Sequence, residues 1–291
     1  MVTIYFDQFA ISNLSKETMS NKWREISEIL FELKRQNKIC CCTSAETIFE
    51  TSQRDHPGII GNYRTIDELF DNCYIQDIAL IICQQIAKHI KGIESDPFVY
   101  PPFDYTSEKL NHRISDKFKE EFDANNIAPC PINMSKKQIS ALREIFFVDD
   151  KIHFIDSVKS YLTGGQLDNY YTGICRILAE QFYFTEIDFR ALVNSIKSDD
   201  FTCCPTLKIR NLLIPYIIVS NEEIKHTITF KNDLIDIRRV STAIPYCNVL
   251  LCDSKWKNCI KSLKLDIEYG VRVFSAKGSD LDDFRNYLSV L

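Results

Sequence analysis

The sequence predicts an α/β protein: a central parallel sheet flanked by helices, with a large, mainly helical insertion. Three observations predict it. The chain opens strand, helix, strand, helix; it closes after residue 230 with the same alternation; and the stretch between, about residues 60–230, carries long amphipathic segments broken at prolines and glycines. The expected division is a core of residues 1–60 plus 228–291 and a helical subdomain of residues 61–227.

Residues 2–7 read as a first strand, Thr3-Ile4-Tyr5-Phe6 ending at Asp7, because a short apolar run suits a strand buried on both faces and a carboxylate cannot stay in the core unpaired. Asp7 through Leu14 read as the turn and short helix that follow. Residues 21–36 place Trp23, Ile26, Ile29, Leu30 and Leu33 at helical spacing, with basic residues at the end where a helix favours them. Lys38 through Ser44 make a second strand with three consecutive cysteines. The helix after it carries Glu46 and Glu50. Amphipathic segments follow at 64–91, 107–123, 135–162, 167–183 and 185–197, while 209–219, interrupted by Pro215, fits helix or strand. Residues 232–244 read as a helix capped at Asn232 or Asp233. Then come a strand, Asn248 to Asp253, a short helix at 255–263, a last strand at 271–275 and a closing helix at 279–290.

A chain of 291 residues with 45% hydrophobic and 26% charged residues can bury a substantial core. With eight glycines and neither GxxxxGK[ST] nor GxGxxG, a phosphate-cradling glycine loop is not expected. No run of about 18 apolar residues would span a bilayer, and no signal peptide opens the chain, so a cytoplasmic protein is expected. Twelve cysteines occur without a CxxC pair, which points to reduced, buried thiols rather than a zinc or disulfide framework. The five histidines form no HxH or HExxH, so zinc chemistry has no support. A net charge of −5 argues against a surface that grips nucleic acid throughout, though not against an acidic centre bridged to phosphate by cations.

The carboxylates are the informative residues. Asp7 and Asp253 each end a strand, and in an open α/β sheet ligands bind outside the carboxyl ends of the strands. Glu46 and Glu50 share a helix face at i, i+4, and Asp233 and Asp236 at i, i+3. Gathering such acids needs a counter-ion. Oxygen-only ligands favour Mg²⁺ or Mn²⁺, and the chemistry that follows is metal-assisted hydrolysis of a phosphate ester.

The order strand-Asp (Ile4-Tyr5-Phe6-Asp7), helix-Glu after a second strand, helix-Asp (Asp233-Leu234-Ile235-Asp236) and strand-Asp (Leu250-Leu251-Cys252-Asp253) resembles the PIN domain, the metal-dependent ribonuclease fold. Asn232–Lys255 is the most specific stretch and is similar to the larger bacterial PIN-like proteins; the resemblance covers about residues 1–60 and 228–291. It implies an endoribonuclease with one or two Mg²⁺ or Mn²⁺ ions held by Asp7, Glu50, Asp236 and Asp253. Glu46 and Asp233 are supporting acids, or take the places of Glu50 and Asp236. Cys252 stands where the family often has Thr or Ser, and Asn248 where the larger members tend to have Asp. Arg238, Arg239 and Asn248 are candidate substrate contacts, with pairing to carboxylates the plainer reading for the arginines. RNA is the expected partner, with DNA or a structured RNA as alternatives, and a toxin-like or defence role is the analogy. A rival reading keeps the fold without catalysis and lets the helical middle bind a protein. A phosphatase or flap-type DNA nuclease on a similar edge is a third.

Overall fold

The computed structural model describes residues 1–16, 19–44, 46–47, 56–99, 136–198, 201–220 and 227–291; within helices, side chains are described at 61–62, from 64, from 148, through 217 and from 233. Two compact units emerge. One comprises Met1–Gln76 and Thr242–Leu291 with the short strand at Phe98; the other comprises Asp77–Pro97 and the helices up to Ser241.

The first unit holds a six-stranded sheet of β1 (Val2–Phe6), β2 (Ile39–Ser44), β3 (Tyr74–Ile75), β4 (Phe98–Val99), β5 (Val249–Cys252) and β6 (Arg272–Ser275), in the order β4-β3-β2-β1-β5-β6. Every neighbouring pair is parallel except β3 with β4. The four residues of β5 are all buried, as a continuous apolar run in a parallel strand covered on both faces should be. The two-residue period of the strands sorts their side chains. Ile4, Phe6, Ile39, Cys41, Val249 and Leu251 join one core, with Ala10, Ile11 and Leu14 of α1 (Gln8–Leu14) and Trp23, Ile26, Leu30 and Leu33 of α2 (Asn21–Arg35). Phe6 anchors it, its ring 5.1 Å from Phe70 of α3 (His56–Phe70) and 6.2 Å from Phe284 of the C-terminal helix. Tyr5, Cys42, Leu250 and Cys252 are buried on the opposite side. In α3, Gly61 allows a close approach: a Cβ there would meet the Ser15 carbonyl oxygen at 3.1 Å.

The second unit is helical. It contains α4 (Ile78–Lys91), α5 (Lys136–Leu162), α6 (Tyr170–Gln181), α7 (Glu186–Ser198), α8 (Pro205–Ser220) and most of α9 (Thr227–Ala243). Its core gathers Ile82, Ile86, Phe154, Ile174, Leu178 and Leu192 with their neighbours. Buried polar groups there pair with each other. Asp150 accepts from Tyr171 and, at 2.7 Å, from Asn211, while Gln85 donates to the Thr206 hydroxyl and accepts from its backbone N–H, both at 3.0 Å. Helices α10 (Ser254–Ser262), α11 (Leu265–Glu268) and α12 (Gly278–Ser289) complete the first unit.

Two expectations are corrected and one open alternative is decided. The amphipathic stretch 64–91 is not one helix: Asp71 and Asn72 take left-handed φ values of 51° and 56°, ending α3 and turning the chain into β3. The segment around Pro215 is helix. And α9 begins at Thr227, so Asp233 lies inside it rather than capping it. The expected helix at 107–123 lies outside the described residues. Among the described residues no helix is long and apolar enough to cross a membrane, and the described cysteines are free thiols.

Candidate functional site

The strand order creates one special place in the sheet. From β1 the chain moves outward to β2 and β3 on one side, and it returns much later to place β5 on the other side of β1. Connections leaving neighbouring strands in opposite directions open a crevice at their carboxyl ends, the position where open α/β sheets bind ligands. Asp7 follows β1 and Asp253 follows β5.

The register makes their proximity concrete. Phe6 stands opposite Leu251, and the Asp7 N–H donates to the Leu251 carbonyl at 3.1 Å. Asp7 therefore lies alongside Cys252 with Asp253 one residue further, an α-carbon separation of about 6 Å from ordinary strand spacing and rise. The two acids are used differently. Asp7, 9% exposed, caps α1 by accepting from the Ala10 N–H at 3.0 Å. Asp253 sits at the N-cap of α10 with extended backbone, yet its side chain makes no cap bond there.

The end of β2 borders the same edge. Thr43 donates its hydroxyl to the Phe6 carbonyl at 2.9 Å, tying β2 to the last residue of β1. Tyr5, Ser44 and Thr47 form a short hydroxyl chain, with oxygens 3.3 Å and 3.4 Å apart. Glu46, 2% exposed, opens the helical turn beyond. Glu50 lies outside the described residues.

Asp233 and Asp236 belong to the other unit. Asp233 is buried, and Asp236 pairs with Arg239 at 3.1 Å on the same helix. Arg238 contacts Asp77 at 3.5 Å. Both arginines thus have carboxylate partners. Asn248 is at the opposite end of β5 from Asp253; its side-chain oxygen accepts from the Thr3 N–H at 2.8 Å, which knits the amino edge of the sheet.

Sequence reasoning gave no role to Asp280 or Lys257. Lys257 of α10 bridges to Asp280 at the start of α12, and Asp280 also accepts from the Ser275 N–H at 3.0 Å and hydroxyl at 2.6 Å. Burial raises the Asp280 carboxyl, but these bonds outweigh it and hold the group below the ordinary carboxylate range. The signal was available: an acid three residues into a helix, the position that reaches back to the preceding chain.

The donor chemistry at this edge, carboxylate and hydroxyl oxygens, is of the kind a hard divalent cation takes. Among the described residues no group of three or more His, Cys, Asp or Glu side chains stands together closely enough to hold a metal ion. The thiols offer no alternative, since burial pushes Cys41 and Cys42 well above their usual range and so against the thiolate a metal would need.

Comparison with protein-family models, curated proteins and solved structures gives no match.

Proposed function

We propose that the chain is a Mg²⁺- or Mn²⁺-dependent nuclease of PIN-like type that hydrolyses RNA phosphodiester bonds, with residues 61–227 as a mainly helical insertion into its α/β core. The observation that carries this reading is the pair of acids, Asp7 and Asp253, at the ends of adjacent parallel strands on either side of the sheet's switch point. Asp7, Glu50, Asp236 and Asp253 are the proposed ligands, with Glu46 and Asp233 as supporting acids. A divalent cation bound there would acidify water and offset phosphate charge. The residues' own part is to fix the edge. The Thr43 bond to the Phe6 carbonyl and the Asp7 N–H bond to Leu251 set where the two carboxylates emerge, and the cap at Ala10 fixes the Asp7 rotamer.

The test is cleavage of a labelled single-stranded RNA with Mn²⁺, alongside thermal melting with and without the ion. Wild type should cleave and gain stability with Mn²⁺. Asp7→Asn and Asp253→Asn should each lower cleavage on the order of 100-fold or more, since even outer contacts to a metal site cost 10–100-fold. Undiminished cleavage in both variants would sink the assignment. A second reading, a PIN-fold interaction module without catalysis, is favoured by the lack of a three-ligand group among the described residues. It expects no Mn²⁺ shift and no cleavage of RNA or DNA.

A further inference from the structure

The rim of the acidic edge carries an aromatic ring and ammonium groups that the metal-site reading does not use. Phe9 follows Asp7 by two residues. The other residues of α1, Gln8, Ala10, Ile11, Ser12, Asn13 and Leu14, are all buried, whereas Phe9 is 37% exposed. Isolated exposed apolar side chains are ordinary. This one is distinguished by its neighbour, because the Lys277 ammonium lies 5.5 Å from the centre of its ring. Lys277 is itself exposed, in the turn between β6 and α12, so it too belongs to the carboxyl edge of the sheet. A second ammonium, Lys255, stands two residues after Asp253 with its charge 5.4 Å from the Trp256 ring.

An aromatic ring with a mobile cation over it can hold single-stranded nucleic acid: the ammonium swings off the ring face to the phosphate of an unpaired nucleotide, and the base takes its place on the ring. A duplex keeps its bases stacked on each other and presents no free base face. We infer that Phe9 and Lys277 form a stacking subsite for one unpaired nucleotide of a single strand passing over the acidic edge. This rests on the nuclease reading for the identity of that edge, and it adds a preference for single strands. Phe9 supplies the stacking surface, Lys277 the phosphate contact. The ring face does not distinguish ribose from deoxyribose, so RNA and DNA single strands are both admitted by this subsite.

The experiment measures binding of the full chain, in Ca²⁺ without Mn²⁺, to fluorescein-labelled single-stranded RNA, single-stranded DNA of the same sequence, and the matching duplexes. Phe9→Ala should weaken both single strands about tenfold, with Phe9→Trp restoring binding. Lys277→Gln should weaken it less and lower the salt dependence by about one counterion. A 5-iodouracil oligonucleotide should crosslink to the peptide containing Phe9. Unchanged binding in Phe9→Ala, failure of Phe9→Trp to restore it, a preference for duplex, or no nucleic-acid binding at all overturns the subsite. Mn²⁺-dependent cleavage is measured in parallel. Wild-type cleavage with unaltered Phe9→Ala binding rejects the subsite and leaves the nuclease reading standing. Phe9-dependent binding without cleavage rejects the nuclease reading and leaves the subsite.

Discussion

The two edges of the sheet meet the same structural problem with different side chains. At the amino edge, β5 is tied to β1 by Asn248, whose amide oxygen takes the Thr3 N–H while its backbone N–H donates to the Thr3 carbonyl at 2.9 Å. At the carboxyl edge the same two strands end in Asp7 and Asp253. Asp7 caps a helix, a task that asparagine performs about as well. Asp253 stands at a cap position without bonding its helix. A neutral amide therefore ties the strands at one edge, and at the other the same strands end in two carboxylates, of which Asp253 makes no bond to its own helix.

The largest effect that bears on this contrast should come from the core beneath the carboxyl edge. Phe6 is fully buried between Phe70 and Phe284 and directly precedes Asp7. Phe6→Ala should cost about 3–5 kcal/mol in denaturant unfolding, because it removes an aromatic from a site walled by two others. If it costs under about 1 kcal/mol, the edge is not rigidly set by its core and the contrast loses its foundation.

Next in size is Asp7 itself. Loss of the cap in Asp7→Ala should lower stability by about 1–2 kcal/mol, whereas Asp7→Asn, which keeps an acceptor for the Ala10 N–H, should stay within a few tenths. Chemical denaturation of the pair separates cap from charge. Equal losses in the two variants would mean that the charge is structural.

The amino edge supplies the converse. Asn248→Ala should destabilise by about 1 kcal/mol through the lost bond to Thr3 and leave Mn²⁺-dependent cleavage at the wild-type level. Reduced cleavage at wild-type stability would place function at both edges.

Much of this was legible in the sequence, and the reasons are physical. The four longer strands were expected at 2–7, 38–44, 248–253 and 271–275 and occur at Val2–Phe6, Ile39–Ser44, Val249–Cys252 and Arg272–Ser275. Buried parallel strands write themselves as uninterrupted apolar runs ended by polar residues. β3 and β4 have two residues each, too few to show a period, and the apolar spacing of α3 continues into α4 as if no turn lay between. The start of α9 was set too late because Thr227-Ile228-Thr229 is β-branched and reads poorly as helix. At the site, Asp7 and Asp253 could be found because each ends an apolar run. Asp280 and Lys257 could not be paired, since what joins them is the adjacency of β5 and β6, a property of topology rather than of local sequence.

Asp280 gives the smallest effect and the finest test, because it is an acid at the carboxyl edge whose charge is spent on structure. It accepts from Lys257 and twice from Ser275, and its carboxyl is held below the usual range. A carboxyl whose folded pKa is depressed stabilises the fold above its unfolded value, near 4, and loses that contribution as pH falls through the lower folded value. Asp280→Asn should thus be less stable than wild type by about 0.5–1 kcal/mol at pH 7, after allowance for partial solvent screening, and the gap should close as pH falls below about 4. Asp253→Asn has no cap bond to lose, so without divalent ions at pH 7 its stability should match wild type. Adding Mn²⁺ should then open a gap at pH 7 for Asp253→Asn and leave the Asp280→Asn gap as it was. If the two variants respond alike to Mn²⁺, the distinction between an acid that holds the fold and an acid that serves a ligand does not hold at this edge.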